Sequence, residues 1–119
     1  MLSLYFAVSS AAACLFTERP EMGGADKPEG YVRVMSFNLK CNGQEMEKRY
    51  GAAAQTIAEA CPDSLGVQEA HVGWRLALDL LLPEHDGVGL YREDKIIIGE
   101  SSAIYYLRDK YEVADKGDF

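Results

Sequence analysis

Two polar residues stand where hydrophobic, strand-like runs end: Asn38 closes "VMSFN" and Glu69 closes "SLGVQE". A carboxamide both donates and accepts hydrogen bonds without bringing charge, whereas a carboxylate is an anionic, hard-oxygen ligand for cations such as magnesium. Side by side, the two can hold a metal ion and a phosphate group. Each also has a plainer use, because Asn tolerates turn conformations and Glu at a strand end is commonly solvated. Which use applies depends on whether the intervening chain brings them together.

The elements around them suggest that it does. "YVRVMSFNL" is rich in β-branched and aromatic residues and is expected to be a strand. After a polar turn at "CNGQ", the apolar positions Met46, Tyr50, Ala53 and Ile57 recur at helical spacing, and "CPD" ends that helix. "SLGVQE" is a short apolar run that reads as a buried second strand. A strand, a crossover helix and a parallel strand make one right-handed unit, with Asn38 and Glu69 both at C-terminal strand ends. In α/β sheets that edge is where ligands bind. Strict alternation would point Gln68 away from Glu69, giving it a supporting place.

Downstream, "HVGWRLALDLLL" reads as a helix carrying Trp74, Leu78, Leu81 and Leu82 and stopped by Pro83. "HDGVGLY" is expected to form a short strand, and "REDKIIIGE" fits a loop or a strand with a turn. "SSAIYYLR" and "YEVADKGDF" suggest two antiparallel strands joined at "DK". The order is β-α-β-α-β-β-β, an α/β fold with a mixed sheet. Tyr50 and Trp74 are expected in the core. His71 and His85 are expected on the surface, and Arg92 and Lys95 in a loop near the site edge.

The 119 residues suit one domain or part of a larger one, and the 48% hydrophobic content argues against disorder. Nineteen acidic against twelve basic residues give a net charge of −7, which disfavours nonspecific adhesion to nucleic acid and is compatible with a divalent cation. All charge lies after residue 17. Residues 1–16 are apolar and too short for a transmembrane helix, and resemble a secretory leader, with "AAAC" around Cys14 similar to a lipoprotein processing site. A secreted or lipid-anchored protein is therefore expected, or a cytoplasmic one if this segment is instead a buried helix or strand. Residues 17–30 read as a linker, and 31–119 as the ordered domain. Cys14, Cys41 and Cys61 have no zinc-like spacing, and buried thiols are expected, with a Cys41–Cys61 pair as the alternative. No P-loop, dinucleotide fingerprint, HExxH or nucleophile elbow is present.

"VMSFNL", "PDSLGVQE" and "GESSAIYY", in this order and spacing, resemble the endonuclease/exonuclease/phosphatase superfamily of magnesium-dependent phosphodiesterases and phosphomonoesterases. The resemblance runs from Tyr31 to Phe119 and implies the N-terminal part of a layered α/β sandwich. It implies that Asn38 supports the phosphate or metal site, that Glu69 is the principal metal ligand, and that Glu100 lies near the site with a catalytic role. The implied cofactor is Mg2+, with Mn2+ able to replace it. The implied substrate is a phosphoester: a nucleic acid, a phospholipid head group or a sugar phosphate. No stable protein partner is evident. The family's Asp/His pair, Asp-x-Asn strand end and final Asp-His have no counterparts in this chain. The alternative is therefore a non-catalytic fragment or binding module that retains the scaffold, with a sheet face and an edge left uncovered.

Overall fold

The computed structural model describes residues 20–23, 27–40, 46–89 and 99–117. The leader, Cys14, Cys41, Arg92, Lys95 and the "REDKIII" segment lie outside the described residues, and so does the Cys41–Cys61 pairing. Six elements follow one another: β1 (Val34–Asn38), α1 (Met46–Ala60), β2 (Ser64–Ala70), α2 (Val72–Leu81), β3 (His85–Val88) and β4 (Ser101–Leu107). The strands form one sheet in the order β1-β2-β4-β3, with β1 parallel to β2 and β4 antiparallel to both β2 and β3. This is the mixed α/β sheet expected. Among the described residues, no helix is long and apolar enough to cross a membrane.

Both helices cover one sheet face. Leu65 and Val67 of β2 and Ala103 and Tyr105 of β4 join Ile57 of α1 and Leu78 and Leu81 of α2 in a single buried cluster. Small residues on α1, Ala53, Ala54 and Ala58, let it pack closely. Tyr50 meets Trp74 edge-on, with ring centroids 4.6 Å apart, so two of the largest core side chains tie the helices together. Helix α1 ends as Cys61 turns into a left-handed conformation (φ 45°) just before Pro62, closing its last turn onto the Ile57 and Ala58 carbonyls. The opposite sheet face is open, with Val34 and Ile104 exposed on it.

Two expectations are corrected. Residues 111–117 form no strand. β4 already has β2 on one side and β3 on the other, so a hairpin partner has no free edge to join. His85 is buried rather than on the surface, because it opens β3 instead of lying in a loop, with its Nε2 3.1 Å from the Pro62 carbonyl oxygen.

The end of the sheet where β1 and β2 begin is fastened by Asp63, which is fully buried. Its carboxylate accepts hydrogen bonds from the Arg33 backbone N–H at 2.8 Å and from the Lys27 ammonium, and more distantly from Lys110 and Tyr111, both at 3.4 Å. The Lys27 hydrogen bond, then the Arg33 N–H, hold the Asp63 carboxyl far below the usual carboxylate range, against the opposing effect of burial. One side chain thus joins the segment before β1, the start of β2 and the turn after β4.

At the other end, β2 departs from alternation. Val67 pairs with Ala103 and Ala70 with Ser101, so three steps along β2 match two along β4. The extra residue is a β-bulge, and Glu69 within it takes a left-handed backbone (φ 58°), which is costly for a side chain with a Cβ. Ala70 returns to the core, and the buried Ser101 hydroxyl donates to its carbonyl oxygen at 2.7 Å.

Two stability tests follow from these ends of the sheet. Asp63→Ala leaves the Arg33 N–H without its acceptor and is expected to cost about 2 kcal/mol in urea unfolding. Because the folded-state carboxyl pKa is depressed, that contribution is complete above the ordinary value of about 4 and declines as pH falls below it. The gap between wild type and Asp63→Ala should therefore narrow in acid. Glu69→Gly is expected to be more stable than Glu69→Ala by about 1 kcal/mol, since only glycine accepts the left-handed backbone freely. The reverse order, normal within a strand, would show that residue 69 is not held in that conformation.

Candidate active site at the C-terminal ends of β1 and β2

The parallel pairing sets Asn38 of β1 directly beside Gln68 of β2. In a regular strand the next residue, Glu69, would then turn into the core behind Val67. The bulge changes this. Gln68 and Glu69 stand on the same open face, and both reach residues of β1: the Gln68 amide lies 3.3 Å from the Ser36 hydroxyl, and the Glu69 carboxylate meets Asn38. The expectation that Gln68 points away from Glu69 is thus corrected by one extra residue in the strand.

Asn38 is held by both atoms of its amide. Its Nδ2 donates to Glu69 Oε1 at 2.9 Å, and its Oδ1 accepts from the Lys40 backbone N–H, also at 2.9 Å. The second bond is an Asx-type turn, after which Lys40 takes a left-handed backbone (φ 54°). Together the two partners fix which way the amide faces. Leu39, between them, drops into the core and donates its N–H to the Gln68 carbonyl oxygen at 3.0 Å, extending the β1–β2 ladder one residue past the strand.

Glu100 is brought to the same end of the sheet. It immediately precedes Ser101, which pairs with Ala70, one residue beyond Glu69. Asn38 and Glu69 are joined by a direct hydrogen bond, whereas Glu100 shares their sheet edge. His71 follows β2 and caps α2: its Nδ1 accepts from the Gly73 N–H at 2.8 Å, and its Nε2 lies 3.3 Å from the Met46 sulfur. Burial lowers its pKa, which favours the neutral ring that capping requires.

The donor set is small. Among the described residues, no three His, Cys, Asp or Glu side chains gather as a metal-binding group. One or two carboxylates with the remaining positions filled by water is nevertheless a usual environment for magnesium, which dehydrates reluctantly. A carboxylate oriented by a neutral amide fits that ion, because the amide adds no competing negative charge. Sequence reading missed the bulge and the Lys40 turn. A signal for the first was present: the apolar positions in β2 run Leu65, Val67, Ala70, with two successive polar residues where alternation allows one.

No protein-family model matches the chain, and neither does any curated protein. Solved structures do. A mannosyl-6-phosphatase of Bacteroides thetaiotaomicron is 33% identical, with a TM-score of 0.66 over 75% of this chain and 36% of its own. An endonuclease/exonuclease/phosphatase family protein of the same organism is 33% identical, with a TM-score of 0.65 over 74% of this chain and 35% of its own. The endonuclease/exonuclease/phosphatase of Bacteroides vulgatus is 32% identical, with a TM-score of 0.62 over 71% and 34%. The chain therefore spans about a third of the length of these proteins. In fold and sequence the chain is thus a partial, N-terminal match to proteins of the endonuclease/exonuclease/phosphatase family.

Proposed function

We propose that this chain is the N-terminal part of a metal-dependent phosphoesterase, with Glu69 as a ligand of Mg2+ or Mn2+ and Asn38 as the amide that supports the metal and phosphate site. The observation that carries this reading is the 2.9 Å hydrogen bond from Asn38 Nδ2 to Glu69 Oε1 at the C-terminal ends of two parallel strands. A bound divalent cation supplies charge neutralisation at the phosphoryl oxygens and eases departure of the leaving oxygen. Glu69 offers the anionic oxygen, and the bulge presents it on the open face. Asn38 orients that carboxylate and adds no charge that would repel an anionic substrate. Glu100, on the same edge, is the next residue to assign a catalytic role.

The activity belongs to the longer protein of which about a third of the length corresponds to this chain. Its similarity to a mannosyl-6-phosphatase supports a sugar phosphate as the first substrate class to test, ahead of nucleic acid and phospholipid head groups. A second reading is a non-catalytic module that keeps the scaffold. It is favoured by the lack of a three-residue metal cluster among the described residues. On the catalytic reading, the complete domain with Mg2+ hydrolyses at least one of sugar phosphates, inositol phosphates, DNA, RNA and sphingomyelin. Chelation stops it, and Glu69→Ala or Asn38→Ala lowers turnover by roughly a hundredfold or more without unfolding the protein. Full activity in both variants would sink the site assignment. The 119-residue chain by itself is expected to show no turnover.

A further inference from the structure

Arg49 lies on the first turns of α1, and its guanidinium reaches back to the segment that follows Asn38. Its Nη2 donates to the Leu39 carbonyl oxygen, and its Nη1 donates to the Lys40 carbonyl oxygen at 3.4 Å. Its central carbon also sits 5.3 Å from the centre of the Trp74 ring, within cation–π range. Trp74 is fully buried at the start of α2, only five residues beyond Glu69. Elements adjoining both Asn38 and Glu69 thus locate this cation.

The Leu39 carbonyl and the Lys40 N–H belong to one peptide group. Arg49 donates to the oxygen of that group, and its N–H donates to Asn38 Oδ1. The other end of the Asn38 amide donates to Glu69 Oε1. The result is a continuous chain of hydrogen bonds in which every donor points the same way: guanidinium, peptide, carboxamide, carboxylate. Aligned dipoles of this kind polarise one another, so each link strengthens the next. We infer that Arg49 is a positioning residue of the Asn38–Glu69 site: it fixes the Leu39–Lys40 peptide, and through it the direction and donor strength of the Asn38 amide. The role in metal binding rests on the reading of Glu69 as a cation ligand given above. Lysine cannot substitute, since it lacks the planar fork that spans two carbonyl oxygens while stacking on an aromatic ring.

The side-chain amide protons of Asn38 report the arrangement directly in a 1H–15N NMR spectrum of the full chain, assigned by their loss in Asn38→Ala. In wild type, the proton bonded to the carboxylate is expected well apart from its partner. Arg49→Lys should collapse that separation while the backbone signals of Leu65 and Val67 hold their positions. It should also weaken Mn2+ binding, read from paramagnetic broadening around Glu69, roughly tenfold. An Asn38 amide unchanged in both Arg49→Lys and Arg49→Gln overturns the role. If those variants do not fold, scalar couplings across the hydrogen bonds of the unsubstituted chain decide instead. Coupling from Lys40 N to Asn38 Cγ and from the Arg49 guanidinium to the Leu39 carbonyl carbon supports the chain, and its absence refutes it. An Asn38 signal that responds to Arg49 in a chain showing no Mn2+ effect keeps the positioning role and removes the cation reading. Mn2+ broadening that is indifferent to Arg49 does the opposite.

Discussion

An acidic side chain in the middle of a two-layer sheet has only two directions to take, and in β2 the wrong one leads into the core. Glu69 stands on the open face because the strand carries one extra residue there, and because that residue accepts a left-handed backbone. Residues held in such conformations cost about 1–3 kcal/mol and persist only where their surroundings over-determine them. The surroundings do so here. Val67 and Ala70 are anchored in the core on either side of the bulge, and the Ser101 hydroxyl pins the Ala70 carbonyl. The hydrogen bond from Asn38 depends on that geometry. Without the bulge there is a sheet, but no Asn38–Glu69 pair on its open face.

Much of this was readable from residue types. The helical spacing of Met46, Tyr50, Ala53 and Ile57 gave α1, and two apolar runs flanking it gave a parallel pair with Asn38 and Glu69 at one edge. Tyr50 and Trp74 were legible as core from spacing alone. What failed did so for reasons that lie between elements rather than within them. "YEVADKGDF" has a respectable strand pattern, but strand formation needs an open neighbour, and whether β4 has one depends on where β3 pairs. His85 reads as a loop residue after Pro83 until its strand is seen to begin there. Alternation turns Gln68 away from Glu69 only in a strand without the extra residue that β2 carries.

The two ends of the sheet are built on different principles. At one end Asp63 is a buried charge with several donors converging on it, an arrangement that fixes chain segments but leaves the carboxylate no capacity for a ligand. At the other, Glu69 is partly exposed and oriented by a neutral amide. Two acidic residues six positions apart in one strand–turn segment therefore differ in burial and in the partners that orient them. Charge count alone, here −7, says nothing about that division.

The strand order also governs how the sheet can be assembled. β1, α1, β2 and α2 follow one another along the chain, and a single crossover through α1 joins β1 to β2. Among the described residues β3 pairs only with β4, so His85–Val88 has no ladder until Ser101–Leu107 is available to it, and it joins β1 and β2 only through β4. During synthesis the strand must wait as an unpaired segment while the following residues emerge. Its brevity, with Asp86 and Gly87 in the middle, limits the exposed apolar edge it presents meanwhile.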